Sequence, residues 1–157
     1  MKGPDLTAAM SQTIDPLRLM QRVTDRTLDL IAPADGVMVG LANDDGVTYV
    51  CGAGHRVSPL GTRVDLESSL SGLAVRTGQL QRSDDTDADP RADAAACRRL
   101  SVASLVCVPS SRMHETLGVL AVNATRPRAF SDDDVELLTR LADFVSSPSD
   151  RRVIYLE

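Results

Sequence analysis

The stretch SVASLVCVPSSRMHETLGVLAVN, residues 101–123, decides the fold. Val102 to Val108 and Leu117 to Val122 are β-rich apolar runs, and the polar connection Ser110 to Thr116 joins them as a hairpin, with Pro109 ending the first strand. Their near-continuous apolarity implies burial on both faces, so the flanking sequence has to supply a covering layer on each side.

C-terminal to the hairpin, Ser131 precedes Asp132, Asp133 and Asp134, a capping side chain and three carboxylates at the positive end of a helix dipole. In the helix that follows, Val135, Leu138, Ala142 and Val145 recur at helical spacing, and Leu137, Leu141 and Phe144 form an adjacent stripe. This apolar face is wider than one packing partner needs. The second stripe therefore suits the first helix of the chain or the same helix of another subunit, and Leu137, Leu141 and Phe144 are the expected dimer interface. Ser146 to Asp150 breaks the pattern before a brief apolar tail, Val153 to Leu156.

On the N-terminal side, Asp15 and Pro16 open an amphipathic helix of about four turns whose stripe is Met20, Val23, Thr27 and Leu30, widened by Leu19 and Ile31. Val37 to Leu41 and Val47 to Cys51 then read as antiparallel strands around the turn residues Asn43 to Gly46. Gly52 to Gly61 reads as a loop and Thr62 to Leu66 as a short strand. Leu70, Leu73 and Ala74 suggest a short helix capped by Ser68 or Ser69 and closed by Gly78. Leu80 to Ser83 is an edge strand, Asp84 to Pro90 a polar surface loop, and Arg91 to Leu100 an alanine-rich helix. This order is that of an α+β domain with its terminal helices on one face of an antiparallel sheet and the middle segment on the other. The expected boundaries are an extension at 1–12, one domain at 13–146 and a tail at 147–157.

With 157 residues, 43% of them hydrophobic and 25% charged, the chain can build a single core without a disulfide framework or a structural metal. No run approaches the ~20 apolar residues of a bilayer span, and Met1 to Met10 lacks a signal-peptide apolar region, so a cytoplasmic location with no membrane partner is expected. The net charge of −5 is distributed without a basic block, and two Phe, two Tyr and no Trp offer few stacking platforms, which argues against nucleic acid as a partner. Cys51, Cys97 and Cys107 are too widely spaced for a redox or zinc pair and are expected as reduced thiols. Cys97 stands beside Arg98 and Arg99, cations that would lower its pKa if they faced it. His55 and His114 fall in loops, so metal or haem ligation has little support.

Residues across 13–146 resemble a GAF domain. Asp89-Pro90-Arg91, Arg99 to Pro109 and Leu117 to Val122 are similar to the second half of that family. Arg126-Pro127-Arg128-Ala129-Phe130-Ser131-Asp132-Asp133-Asp134 resembles the entry to its closing helix, and Ser71-Gly72-Leu73-Ala74 its mid-domain helix. The resemblance implies a central antiparallel sheet of five to six strands, with terminal helices on one face and short helices and loops on the other. It further implies a small-molecule pocket between the sheet and the middle helices, dimerisation through the terminal helices, and a separate output protein or domain.

The fold alone does not select a ligand or cofactor. Where bilin-binding members carry Cys-His, this chain has Cys97-Arg98, and the cyclic-nucleotide signature Asn-Lys-Phe-Asp-Glu does not occur. Free methionine-R-sulfoxide reductase, an enzyme of the family, has a cysteine beside the mid-domain glycine, whereas here the residues are Ser71-Gly72-Leu73. Where that enzyme has acidic residues on two late strands, this chain has Ser104-Leu105 and Ala121-Val122-Asn123. A non-catalytic sensor is the resulting expectation, with Arg91, Cys97, Arg98, Ser104 and Val106 as ligand contacts. A ligand-free dimerisation module and a Cys97-based redox sensor or reductase follow as alternatives.

Overall fold

A computed structural model describes residues 15–55 and 57–146. Asp15 caps the first helix, α1 (Pro16–Leu30), by accepting the Leu17 N–H at 3.0 Å, and Pro16 takes a first-turn position where no amide partner is needed. A hairpin follows, β1 (Gly36–Ala42) and β2 (Gly46–Gly54), whose turn is held by Asn43 Oδ1 accepting from the Asp45 and Gly46 amides. Next come β3 (Arg63–Asp65), α2 (Leu70–Thr77), β4 (Gln81–Ser83), a 3₁₀ turn (Thr86–Ala88) and α3 (Ala94–Leu100). The chain continues through β5 (Ser104–Arg112), β6 (Glu115–Ala124) and α4 (Asp132–Ser146). All strand pairs are antiparallel, in one six-stranded sheet ordered β3-β2-β1-β6-β5-β4.

Strand alternation sorts the side chains into two cores. On one face Val37, Val39, Val106, Val108, Leu120 and Val122 meet Leu19, Met20 and Val23 of α1 and Leu138, Leu141, Ala142 and Val145 of α4. On the other, Met38, Val47, Tyr49, Cys107, Val119 and Ala121 meet Leu70 and Ala74 of α2. The terminal helices thus share one face and the middle elements take the other, in an α+β arrangement. Helix α4 opens with a reciprocal cap: Ser131 Oγ accepts the Asp134 N–H at 3.1 Å, and Asp134 Oδ2 accepts the Ser131 N–H at 3.0 Å.

Several boundaries differ from the sequence reading, among them β2, which runs on to Gly54 where a loop is expected from Gly52. Strand β5 runs through Pro109, which pairs with Val119. Its other neighbour, β4, stops opposite Cys107, so at Pro109 that flank is a sheet edge, where a residue without an N–H is tolerated. The expected long connection Ser110 to Thr116 shrinks to Met113 and His114, both at positive φ (53° and 69°), which is the type I′ signature without its usual Asn-Gly. Helix α3 begins at Ala94 rather than Arg91, because Asp93 caps it by accepting the Ala96 N–H, while Asp89 accepts the Arg91 N–H in a separate turn. The expected extension at 1–12 and the tail at 147–157, including Val153 to Leu156, lie outside the described residues.

Candidate functional site

Helices α2 and α3 stand over the second face of the sheet. Each is about two turns long, and with the loop at Ser58 and Pro59 and the strands they border a cavity of about 450 Å³. Met38 of β1, Leu105 of β5, and Ala121 and Asn123 of β6 form its floor. Tyr49 of β2, Leu70 and Ser71 of α2, and Cys97 of α3 form its walls. Arg63, Asp65, Asp93 and Arg99 also line it, and all four are exposed, which puts the charges at the mouth.

Local chemistry fixes α2 in place. Ser69 Oγ accepts the Gly72 N–H at 2.9 Å and donates to the Asp65 carbonyl at 2.8 Å, tying the start of the helix to the end of β3. At Gly72 a Cβ would collide with that same Asp65 carbonyl, so the helix can approach this closely only with glycine there. Ser71 is thereby held over the sheet. Its hydroxyl lies 2.8 Å from Tyr49 Oη and 3.6 Å from Cys107 Sγ, forming a buried three-member chain. Burial raises the Tyr49 phenol above its ordinary range and pushes the Cys107 thiol up to about 12, so both are neutral at physiological pH.

Of the five residues expected to contact ligand, Cys97 stands in the cavity wall. Its pKa is raised by burial, opposite to the lowering that neighbouring cations would cause. Arg98 turns away to Asp87 at 3.0 Å, and Arg99 sits at the exposed mouth. Arg91 lies outside the cavity, where it binds Asp89 at 2.6 Å, Gln81 Oε1 at 3.1 Å and the Arg82 carbonyl at 2.7 Å. Ser104 and Val106 belong to the opposite face of β5: the Ser104 hydroxyl donates to the Arg126 carbonyl at 2.7 Å, and Val106 is buried in the helix-side core. The residues between and beyond them, Leu105 and Cys107, face the cavity side.

Leu141 is 2% exposed within the helix-side core, whereas Leu137 and Phe144 are half-buried at its margin. His55 and His114 are exposed, and among the described residues no three His, Cys, Asp or Glu side chains gather as a metal set. No helix of the described residues is long and apolar enough to cross a membrane.

Tyr49, Ser71, Met38, Ala121 and Asn123 were not legible as cavity residues from the sequence reading. A usable signal existed for two of them. Tyr49 places a polar tip within an apolar strand, and Asn123 is an amide that is buried rather than ending its strand, since β6 continues to Ala124.

The family profile for the GAF domain matches residues 13–147. Among solved structures, the type II free methionine-R-sulfoxide reductase from Thermoplasma acidophilum superposes with a TM-score of 0.75 at 19% identity, over 85% of this chain and 92% of that one. The GAF domain region of a membrane protein from Geobacter sulfurreducens gives 0.72 at 20% identity, over 90% and 97%. The second GAF domain of DevS from Mycobacterium smegmatis gives 0.67 at 20% identity, over 86% and 93%. The comparison with curated proteins finds no match. At these identities the likeness is one of fold. The profile spans most of the chain, and the six-stranded antiparallel sheet carries the same architecture as the GAF structures, so this chain belongs to the GAF domain family.

Proposed function

We propose that this GAF domain is a non-catalytic sensor that receives a small molecule in the cavity beneath α2 and α3 and reports its occupancy through α1 and α4, as a homodimer. The observation that carries the reading is the cavity itself. Its volume of about 450 Å³ falls within the ~300–1,000 Å³ typical of small-molecule sites, and its apolar floor carries few polar groups, as such sites usually do. A non-catalytic role is supported by the thiols: all three have their pKa raised by burial, so none is poised as a nucleophile. The sulfoxide reductases among the structural neighbours share the fold at 19% and 21% identity, which carries no activity across to this chain.

A metabolite panel read by melting temperature tests the proposal. A ligand at a hundredfold its Kd adds about 2.7 kcal/mol, enough to raise Tm by several degrees. Stabilisation by at least one compound supports sensing, and a flat panel contradicts it. A flat panel would favour the second reading, a ligand-free dimerisation module. That reading rests on the half-buried Leu137 and Phe144 of α4 and the exposed Leu17 and Leu30 of α1, which leave apolar surface on both terminal helices.

A further inference from the structure

The side chains that line the cavity divide by depth into neutral and charged groups. The buried ones are Met38, Tyr49, Leu70, Ser71, Cys97, Val102, Ala121 and Asn123, and none is an acid or a base at neutral pH. The charged ones, Arg63, Asp65, Asp93 and Arg99, are all exposed at the mouth, two of each sign. Arg63 is already paired with Asp45 at 3.6 Å, and the Asp93 carboxylate accepts an α3 amide. An ionised group pushed to the deep end would lose its hydration and meet no counter-charge among the buried lining side chains, an unfavourable situation for a buried charge.

The deep end nonetheless offers hydrogen bonding. Tyr49 Oη, Ser71 Oγ and Cys107 Sγ form one chain of three X–H groups. If the protons run from Cys107 through Ser71 to Tyr49, the Tyr49 O–H is left to donate into the cavity. If they run the other way, the Tyr49 oxygen is left to accept. The chain can therefore answer an amide or a hydroxyl on a guest by reversing its direction, with no net charge involved.

We propose, on the basis of the sensor reading above, that the guest is an uncharged small molecule at its buried end, apolar in body with an amide or hydroxyl group directed at Tyr49 and Ser71, and that any ionic group it bears stays at the mouth. Anionic or cationic metabolites whose charge must enter the cavity are excluded by the same wall.

The test uses three isosteric probes on the full chain: benzamide, benzoate and benzamidinium, each titrated at constant ionic strength and pH 7 and read by residue-resolved amide NMR shifts. Benzamide is expected to shift the signals of Tyr49, Ser71, Ala121 and Asn123 at least tenfold more tightly than either ion. Benzoate or benzamidinium shifting those same signals as tightly as benzamide, or more so, overturns the uncharged-guest inference while leaving a receptor in place. No shift of the cavity signals by any of the three at millimolar concentration overturns this inference, while the sensor reading stands or falls on the metabolite panel.

Discussion

Arg82, on the edge strand β4, reaches across to α4 and donates to Asp132 Oδ1 at 2.6 Å, joining two residues fifty positions apart. The same guanidinium donates to the Phe130 carbonyl, and its Nε lies 3.2 Å from Asp84 Oδ1. Arg91 in turn holds the Arg82 carbonyl at 2.7 Å and Asp89 at 2.6 Å. A continuous set of charge-assisted bonds thus runs from the Asp89–Arg91 turn ahead of α3 to the first turn of the closing helix.

Removing its centre should loosen the helix entry. Arg82→Ala is expected to cost about 1–2 kcal/mol, most of it from the half-buried Phe130 carbonyl that loses its donor. Asp132→Asn should cost less than about 0.5 kcal/mol, since that carboxylate is 94% exposed. Urea unfolding of the two variants gives the comparison, and equal losses would contradict the ordering.

The Arg91 guanidinium holds the Asp89 carboxyl well below the usual carboxylate range. A group whose pKa is depressed by folding contributes stability that is present above its unfolded value of about 3.9 and is lost as pH falls from there through the folded value. Asp89→Asn should therefore be less stable than the native chain at pH 7, by about 1 kcal/mol given the partly exposed partner. The gap should begin to narrow as pH falls below about 4 and shrink further toward pH 2. Unfolding midpoints between pH 7 and pH 2 provide the measurement, and parallel curves would contradict the pairing.

Thiol reactivity separates a sensor cavity from a redox centre. A thiol with a pKa near 12, as at Cys107, is ionised in about one molecule in ten thousand at pH 8, and burial raises Cys51 and Cys97 as well. Titration with a disulfide reagent should find no fast-reacting thiol in the native protein and three in denaturant. A single fast thiol that disappears in Cys97→Ser would restore the redox reading.

The two stripes of α4 should respond differently to charge. Leu141, 2% exposed, belongs to the core, and Leu141→Glu is expected to cost about 4 kcal/mol or to prevent folding. Leu137, half-buried at the margin, should accept glutamate with the fold intact. If α4 also forms the dimer contact, sedimentation of Leu137→Glu will show a folded monomer where the native chain is a dimer, and an unchanged dimer would place the contact elsewhere.

The fold was legible because its signals are local and mutually consistent. Asp15 with Pro16, Ser69 with Gly78, and Ser131 with Asp134 mark helix ends where the structure has them, and Asn43 marks the first hairpin. The cavity was less legible because it depends on strand parity. Choosing Ser104 and Val106 instead of Leu105 and Cys107 is a one-residue error that transfers every side chain to the other face of the sheet. Arg91 and Arg98 suggested ligand contacts by charge alone, but each has an acidic partner nearby in sequence, Asp89 and Asp87, that claims it. Tyr49 and Ser71 meet only through tertiary structure, twenty-two residues apart, and no spacing rule brings them together.

A guest seated between the sheet and α2 with α3 should be displaced when that space is filled. Ala121 lies on the cavity floor, so Ala121→Leu directs added bulk into it. Any compound that raises the native Tm should be titrated by calorimetry against both proteins, with Cys97→Met as the second filled variant should Ala121→Leu not fold. Affinity is expected to fall at least tenfold in the filled protein while its fold is retained. Equal affinity in native and filled proteins would contradict this by placing the binding site elsewhere.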